Sequence, residues 1–226
     1  MADYQTIRTA GAGARAAEID QGLRAHMNKV YGLMSVAMII TFGVAWAIGT
    51  NDAMVAAIHG GPLKWVVMIA MFAAIFALPA MISRLSFAAA QLAFYGYAAL
   101  FGVFMSVIFA VYTTGSIAQT FLVTAIAFAG LSIYGYVTKK DLSAMGTFMV
   151  MGLWGLIVAS IVNMFMRSDA LSFVISLVGV VIFAGLTAWD TQKIKNDYVA
   201  HAQNNDQDWL NKSAIMGALM LYLDFI

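Results

Sequence analysis

The sequence predicts an all-α membrane protein, a polytopic bundle of seven transmembrane helices, and three observations carry that prediction. The 226 residues are 62% hydrophobic and 10% charged, with a mean hydropathy of +0.84. A soluble domain carries about 25% charged residues, so most of this surface cannot face water. The apolar residues fall into long runs separated by short polar breaks, six of them reaching the length of about 20 residues that a helix needs to cross a bilayer. Lysine and arginine also alternate in density from one break to the next, as they do when cytoplasmic loops collect positive charge.

The elements follow in chain order. Residues 1–14 are small and polar, including Gly11 and Gly13, and read as a frayed end. From 15 to 29, Ile19, Leu23 and Met27 recur at helical spacing while Arg15, Glu18, Arg24 and Lys29 take the other faces. This stretch is either an amphipathic helix on the membrane surface or a solvated extension of the first span. Residues 1–29 thus form a cytoplasmic N-terminal segment, and residues 30–226 the seven-helix transmembrane domain. Six spans are expected at 30–50, 63–83, 86–111, 116–138, 142–166 and 170–191. A seventh apolar segment runs from residue 213 to Ile226. At about 1.5 Å per residue it reaches about 21 Å, short of a hydrocarbon core of about 30 Å, so the last helix is expected to be truncated.

Orientation follows from the basic residues. With the N-terminus cytoplasmic, the inside receives Arg8, Arg15, Arg24, Lys29, Arg84, Lys139, Lys140, Lys193, Lys195 and Lys212, against only Lys64 and Arg167 outside. The C-terminus then lies outside. Gly96, Gly102, Gly130, Gly135, Gly152, Gly155, Gly179 and Gly185 read as helix-packing positions. Trp46, Trp65, Trp154 and Trp189 read as interfacial anchors. Pro79 is expected to kink the second span. There is no cysteine, which excludes disulfides and thiolate metal sites, and His26, His59 and His201 are too scattered for a histidine metal site. No enzymatic activity, resident cofactor or nucleic-acid partner is expected.

Two carboxylates stand out. Asp224 lies 12 residues, or about 18 Å of helix, beyond Lys212, at a depth where an unpaired carboxylate costs several kcal/mol. Asp190 closes the preceding apolar run. If the last two helices are antiparallel neighbours, equal depth places the turn near residue 207, within the Gln203-Asn204-Asn205-Asp206-Gln207-Asp208 cluster. The sixth helix should therefore continue to about residue 200. Two carboxylates sharing a site titrate as one unit, and an arginine favours their charged forms. Arg84, at the cytoplasmic end of the second span, is the candidate; its ordinary reading is a positive-inside anchor.

Gly185-Leu186-Thr187-Ala188-Trp189-Asp190-Thr191-Gln192-Lys193-Ile194, followed by Leu221-Tyr222-Leu223-Asp224-Phe225-Ile226, closely resembles the transmembrane Bax-inhibitor motif family in its bacterial branch. Lys139-Lys140-Asp141-Leu142 and Tyr95-Gly96-Tyr97 support the resemblance, which covers about residues 20–226. It implies six helices around a central last one, and a pH-sensitive calcium leak across the bacterial inner membrane. It also implies that Asp190 and Asp224 are the pH sensor and the site for the permeant calcium, with Arg84 as a latch. Calcium takes six to eight oxygen ligands, so backbone carbonyls or water must complete what two carboxylates begin. The alternative is a non-transporting partner of a membrane-bound quality-control protease, with residues 1–29 carrying the function. A retinal protein is excluded because residues 213–226 contain no lysine. An intramembrane aspartyl protease is disfavoured because Asp224 follows Leu221-Tyr222-Leu223 rather than a glycine-rich pattern.

Overall fold

The computed structural model describes the backbone of residues 2–201 and 206–226 and the side chains from Ala17 onward within those segments. Among the described residues all regular structure is helical: α1 (Ala2–Gly49), α2 (Asp52–His59), α3 (Leu63–Ile82), α4 (Phe87–Met105), α5 (Val107–Val111), α6 (Thr114–Val137), α7 (Ser143–Met166), α8 (Asp169–His201) and α9 (Gln207–Phe225). Short polar side chains start several of them by accepting an otherwise orphaned backbone N–H. Asn51 accepts from Met54, Ser86 from Ala89, Thr113 from Ser116 and Asp206 from Trp209. Arg167 ends α7 in the left-handed region (φ 51°), and the Asn163 side chain accepts from Ser168 N–H to close the turn into α8.

Among the described residues six helical segments are long and apolar enough to cross a membrane: Ala17–Gly49, Leu63–Ile82, Phe87–Val111, Thr114–Val137, Ser143–Met166 and Asp169–His201. Their outward faces are greasy: Ile39, Phe76, Leu92 and Phe165 are 70% or more exposed, the reverse of a water-soluble surface. The chain is an integral membrane protein. The last helix, α9, falls outside that set because Asp208, Lys212 and Asp224 interrupt its apolar character.

The helices form two groups. α1, α3 and α4 pack together on one side and α6, α7 and α8 on the other, with α9 touching members of both. Ala214, Ile215, Ala218, Leu221 and Tyr222 of α9 are fully buried, so this helix runs through the core between the two groups. Phe94, Tyr97 and Phe101 of α4 meet the Tyr222 ring edge to face, with centroids about 6 Å apart.

Small residues set the closest approaches. At Gly102 a Cβ would sit 2.6 Å from the Thr41 carbonyl, so α4 lies directly on α1; at Gly135 it would collide with the Ala188 carbonyl, so α6 lies directly on α8. Gly152, Gly179 and Gly185 also face neighbouring helices, whereas Gly96, Gly130 and Gly155 face open space and are not packing positions. Trp46, Trp65 and Trp154 are exposed. Trp189 differs: its ring lies against Gly146 of α7, which makes it an interhelical contact.

The N-terminal segment also resolves. α1 is unbroken across residues 29 and 30, and the backbone from Ala2 onward is helical rather than frayed. Leu23, Met27 and Val30 are buried in the same core as Tyr198 and Ile194 of α8, so this stretch extends the first span. Pro79 sits inside α3, three residues before its end.

Candidate functional site

α8 continues ten residues beyond its apolar part to His201, and α9 starts at Gln207 with Asp206 as its cap. The expected turn cluster 203–208 coincides with this reversal; residues 202–205 lie outside the described segments. The antiparallel return brings Asp190 and Asp224 within hydrogen-bonding reach of each other. Asp190 is 8% exposed, and Oδ2 of Asp224 is closed off from solvent with no hydrogen-bond partner. Ionised carboxylates only accept hydrogen bonds, so a direct hydrogen bond between the two needs one of them protonated, whereas a bridging cation needs neither to be.

The third predicted member stands apart. Arg84 is exposed in the turn between α3 and α4, and the ion pairs among the described residues, Arg24–Asp20 and Lys212–Asp208, do not involve it. Lys193, one turn along the same helix, brings a positive charge near Asp190 without forming an ion pair with it, and its Nζ lies 5.3 Å from the Trp189 ring centroid.

Beside the pair lies a cavity of about 440 Å3, lined by residues of α1, α3, α8 and α9. Asp197, Asp206 and Asp208 give it an acidic character, Lys212 opposes them, and Ile82 at the end of α3 and Ser83 just after it form part of its wall. Its lining extends inward as far as Ile194 and Met220, each one helical turn from an aspartate. Ile194 packs onto Gly217 at this inner end, where a Cβ would come within 3.1 Å of its side chain. A hydrated cation could occupy the outer cavity; an apolar step of one turn separates it from the carboxylates.

Sequence reasoning missed the role of Gln192. Its amide binds the α6–α7 loop with both ends: Oε1 accepts from Leu142 N–H at 2.8 Å, and Nε2 donates to the Lys140 carbonyl at 2.8 Å. Lys195 Nζ donates to the Tyr136 carbonyl at the end of α6. Two stretches noted separately, the one around Asp190 and the Lys139–Leu142 loop, therefore meet. In that loop the Asp141 carboxylate, outside the membrane spans, accepts from Ser143, which holds it below the usual carboxylate range. Thr41 was also missed. Its Oγ1 lies 2.7 Å from the Tyr222 hydroxyl and donates to a backbone carbonyl of α1 or α4, so Tyr222 is its hydrogen-bond donor.

Among the described residues no cluster of three or more His, Cys, Asp or Glu side chains gathers to hold a metal. The aspartate pair offers carboxylate oxygens alone, which suits hard cations such as calcium.

Comparison with known proteins places these features in context. The family model described as "Inhibitor of apoptosis-promoting Bax1" matches residues 23–226. The chain is 43% identical over 206 residues to the inner membrane protein YbhL of Escherichia coli (strain K12), covering 91% of this chain and 88% of the relative. It is 44% identical over 201 residues to an uncharacterised protein of Borreliella burgdorferi, covering 88% and 86%. An uncharacterised Rickettsia prowazekii protein is 39% identical over 226 residues, covering 100% of this chain and 94% of its own length.

Proposed function

The chain belongs to the family described as Inhibitor of apoptosis-promoting Bax1, and from that premise we propose that it is a pH-sensitive calcium leak channel gated by Asp190 and Asp224. In this reading α9 is the seventh span, the N-terminus is cytoplasmic, the C-terminus is outside, and the membrane is a bacterial inner membrane. The basic residues favour that orientation, and a relative that shares most of its length carries the name inner membrane protein.

The observation that carries the proposal is the contact between a buried carboxylate, Asp190, and a half-buried one, Asp224, in the core where α8 meets α9, one turn beyond an acidic cavity. Buried ionisable groups inside a membrane protein mark ion pathways or proton relays far more often than they serve packing. The cavity would concentrate cations at the mouth, and the pair would supply the inner oxygen ligands.

The pH dependence follows from the pair and Arg84 together. With a shared proton the two carboxylates satisfy each other and Arg84 stays in solvent, the arrangement described above. When that proton leaves, two like charges remain in a poorly hydrated site and demand a counter-cation. Arg84 directly follows Ile82 and Ser83, which line the cavity, so movement of the α3 end would carry its guanidinium across the mouth toward the pair. Leak should therefore fall as pH rises.

The test is calcium flux into liposomes holding the purified full chain, between about pH 5 and about pH 8. Flux should exceed that of empty vesicles and decline toward the alkaline end, and Arg84→Gln should flatten the decline. Flux equal to that of empty vesicles throughout would sink the channel reading and return weight to a non-transporting partner role.

A further inference from the structure

The two helix groups do not close on each other everywhere. Between α1 and α6 runs a groove of about 870 Å3, apolar along Leu23, Met27, Phe128 and Ile133. At one end it is cationic: Arg24 and Lys195 line the mouth, with Asp20 as the opposing charge. Arg24 meets Asp20 only at 3.8 Å, and both side chains are mostly exposed, a pairing of little strength that a better anion can displace. Lys195 uses one of its three N–H donors on the Tyr136 carbonyl, with its Nζ 5.3 Å from the Tyr136 ring centroid, which leaves two donors for another acceptor.

A second observation is independent of the charges. Ser132 lines the same groove, is 5% exposed, and its Oγ has no hydrogen-bond partner. A buried hydroxyl without a partner costs roughly 1–3 kcal/mol, so such groups normally mark a missing acceptor or donor. Ser132 lies four residues before Tyr136 on α6, one turn or about 6 Å deeper than the carbonyl that Lys195 touches.

We propose that this groove is a binding site for one anionic phospholipid. Its phosphate sits between Lys195 and Arg24, an acyl-ester carbonyl accepts from Ser132 Oγ one turn deeper, and a fatty-acyl chain runs along the apolar wall. A phospholipid carries an anion, an ester carbonyl and a hydrocarbon chain in that order along its length, matching the order in the groove. The cationic mouth lies on the side that the basic residues assign to the cytoplasm, where anionic headgroups attract lysine and arginine. The bound lipid would tie α1 to α6 across the gap between the two helix groups. This inference does not rest on the calcium reading.

The experiment is native mass spectrometry of the detergent-purified full chain, offered equal amounts of phosphatidylglycerol and phosphatidylethanolamine. One phosphatidylglycerol should be retained in preference to phosphatidylethanolamine. The double variant Arg24→Gln, Lys195→Gln should lower that adduct on the order of tenfold, the equivalent of one charge-assisted hydrogen bond. Ala129→Trp, at an exposed position on the groove wall, should block the site without touching the buried core. Inorganic phosphate in excess should not displace the lipid. Equal retention of the two lipids, an undiminished adduct in Ala129→Trp, or displacement by phosphate would each overturn the proposal.

Discussion

Replacing Gln192 with leucine should loosen the α6–α7 loop by a measurable and local amount. The wild-type side chain is 6% exposed and satisfies two backbone groups of the loop, the Leu142 N–H and the Lys140 carbonyl, each at 2.8 Å. Leucine fills a similar volume but offers neither partner. The Leu142 N–H is buried and stays unpaired, at a cost of about 1–3 kcal/mol, while the Lys140 carbonyl can turn to water. A loss of about 2 kcal/mol corresponds to roughly thirtyfold more frequent local opening. Hydrogen exchange at the Leu142 amide, followed by mass spectrometry in detergent, reads this directly. Gln192→Glu provides the internal control, because it keeps an acceptor for Leu142 and removes the donor to Lys140. Exchange at Leu142 should accelerate about thirtyfold in the leucine variant and little in the glutamate variant. Unchanged exchange in Gln192→Leu, or equal acceleration in both, would refute the assignment of the clamp.

Two further outcomes follow from the packing. Gly135→Ala places a methyl group against the Ala188 carbonyl and should lower stability by about 1–3 kcal/mol, read as a lower midpoint of thermal unfolding in detergent. Thr41→Val removes the acceptor of the Tyr222 hydroxyl in the core and should cost a similar amount; adding Tyr222→Phe should recover most of the loss, because both polar partners are then gone. A double variant no more stable than Thr41→Val alone would show that the hydroxyl pair is not the source.

Much of the architecture was legible because it is written in local signals. The six long spans lie close to their expected bounds because the bilayer demands about 20 apolar residues wherever a helix crosses it. The extension of α8 to His201 followed from requiring Asp190 and Asp224 at one depth, and the polar cluster after it supplied the turn. Other features depend on contacts between distant segments. Gln192 reads as one more polar residue near a helix end until the loop 50 residues earlier is seen in its amide. Trp189 has the composition of an interfacial anchor, and only Gly146 of α7 reveals it as packed. The eight glycines look alike in the sequence, yet Gly102 and Gly135 touch a neighbouring backbone while Gly96 faces open space. Arg84 has the charge for a latch, but charge does not specify whether the helix end that carries it is turned inward.

The central claim is that Asp190 and Asp224 act on calcium as a unit, and a double-mutant cycle on leak measures that most directly. Wild type, Asp190→Asn, Asp224→Asn and the double variant would be compared in liposomes across the same pH range. Two carboxylates sharing one proton form a single titrating element, so either substitution alone should change the pH profile of the leak, and the second should add little. Additive changes, or a profile unaltered by both substitutions, would contradict the account.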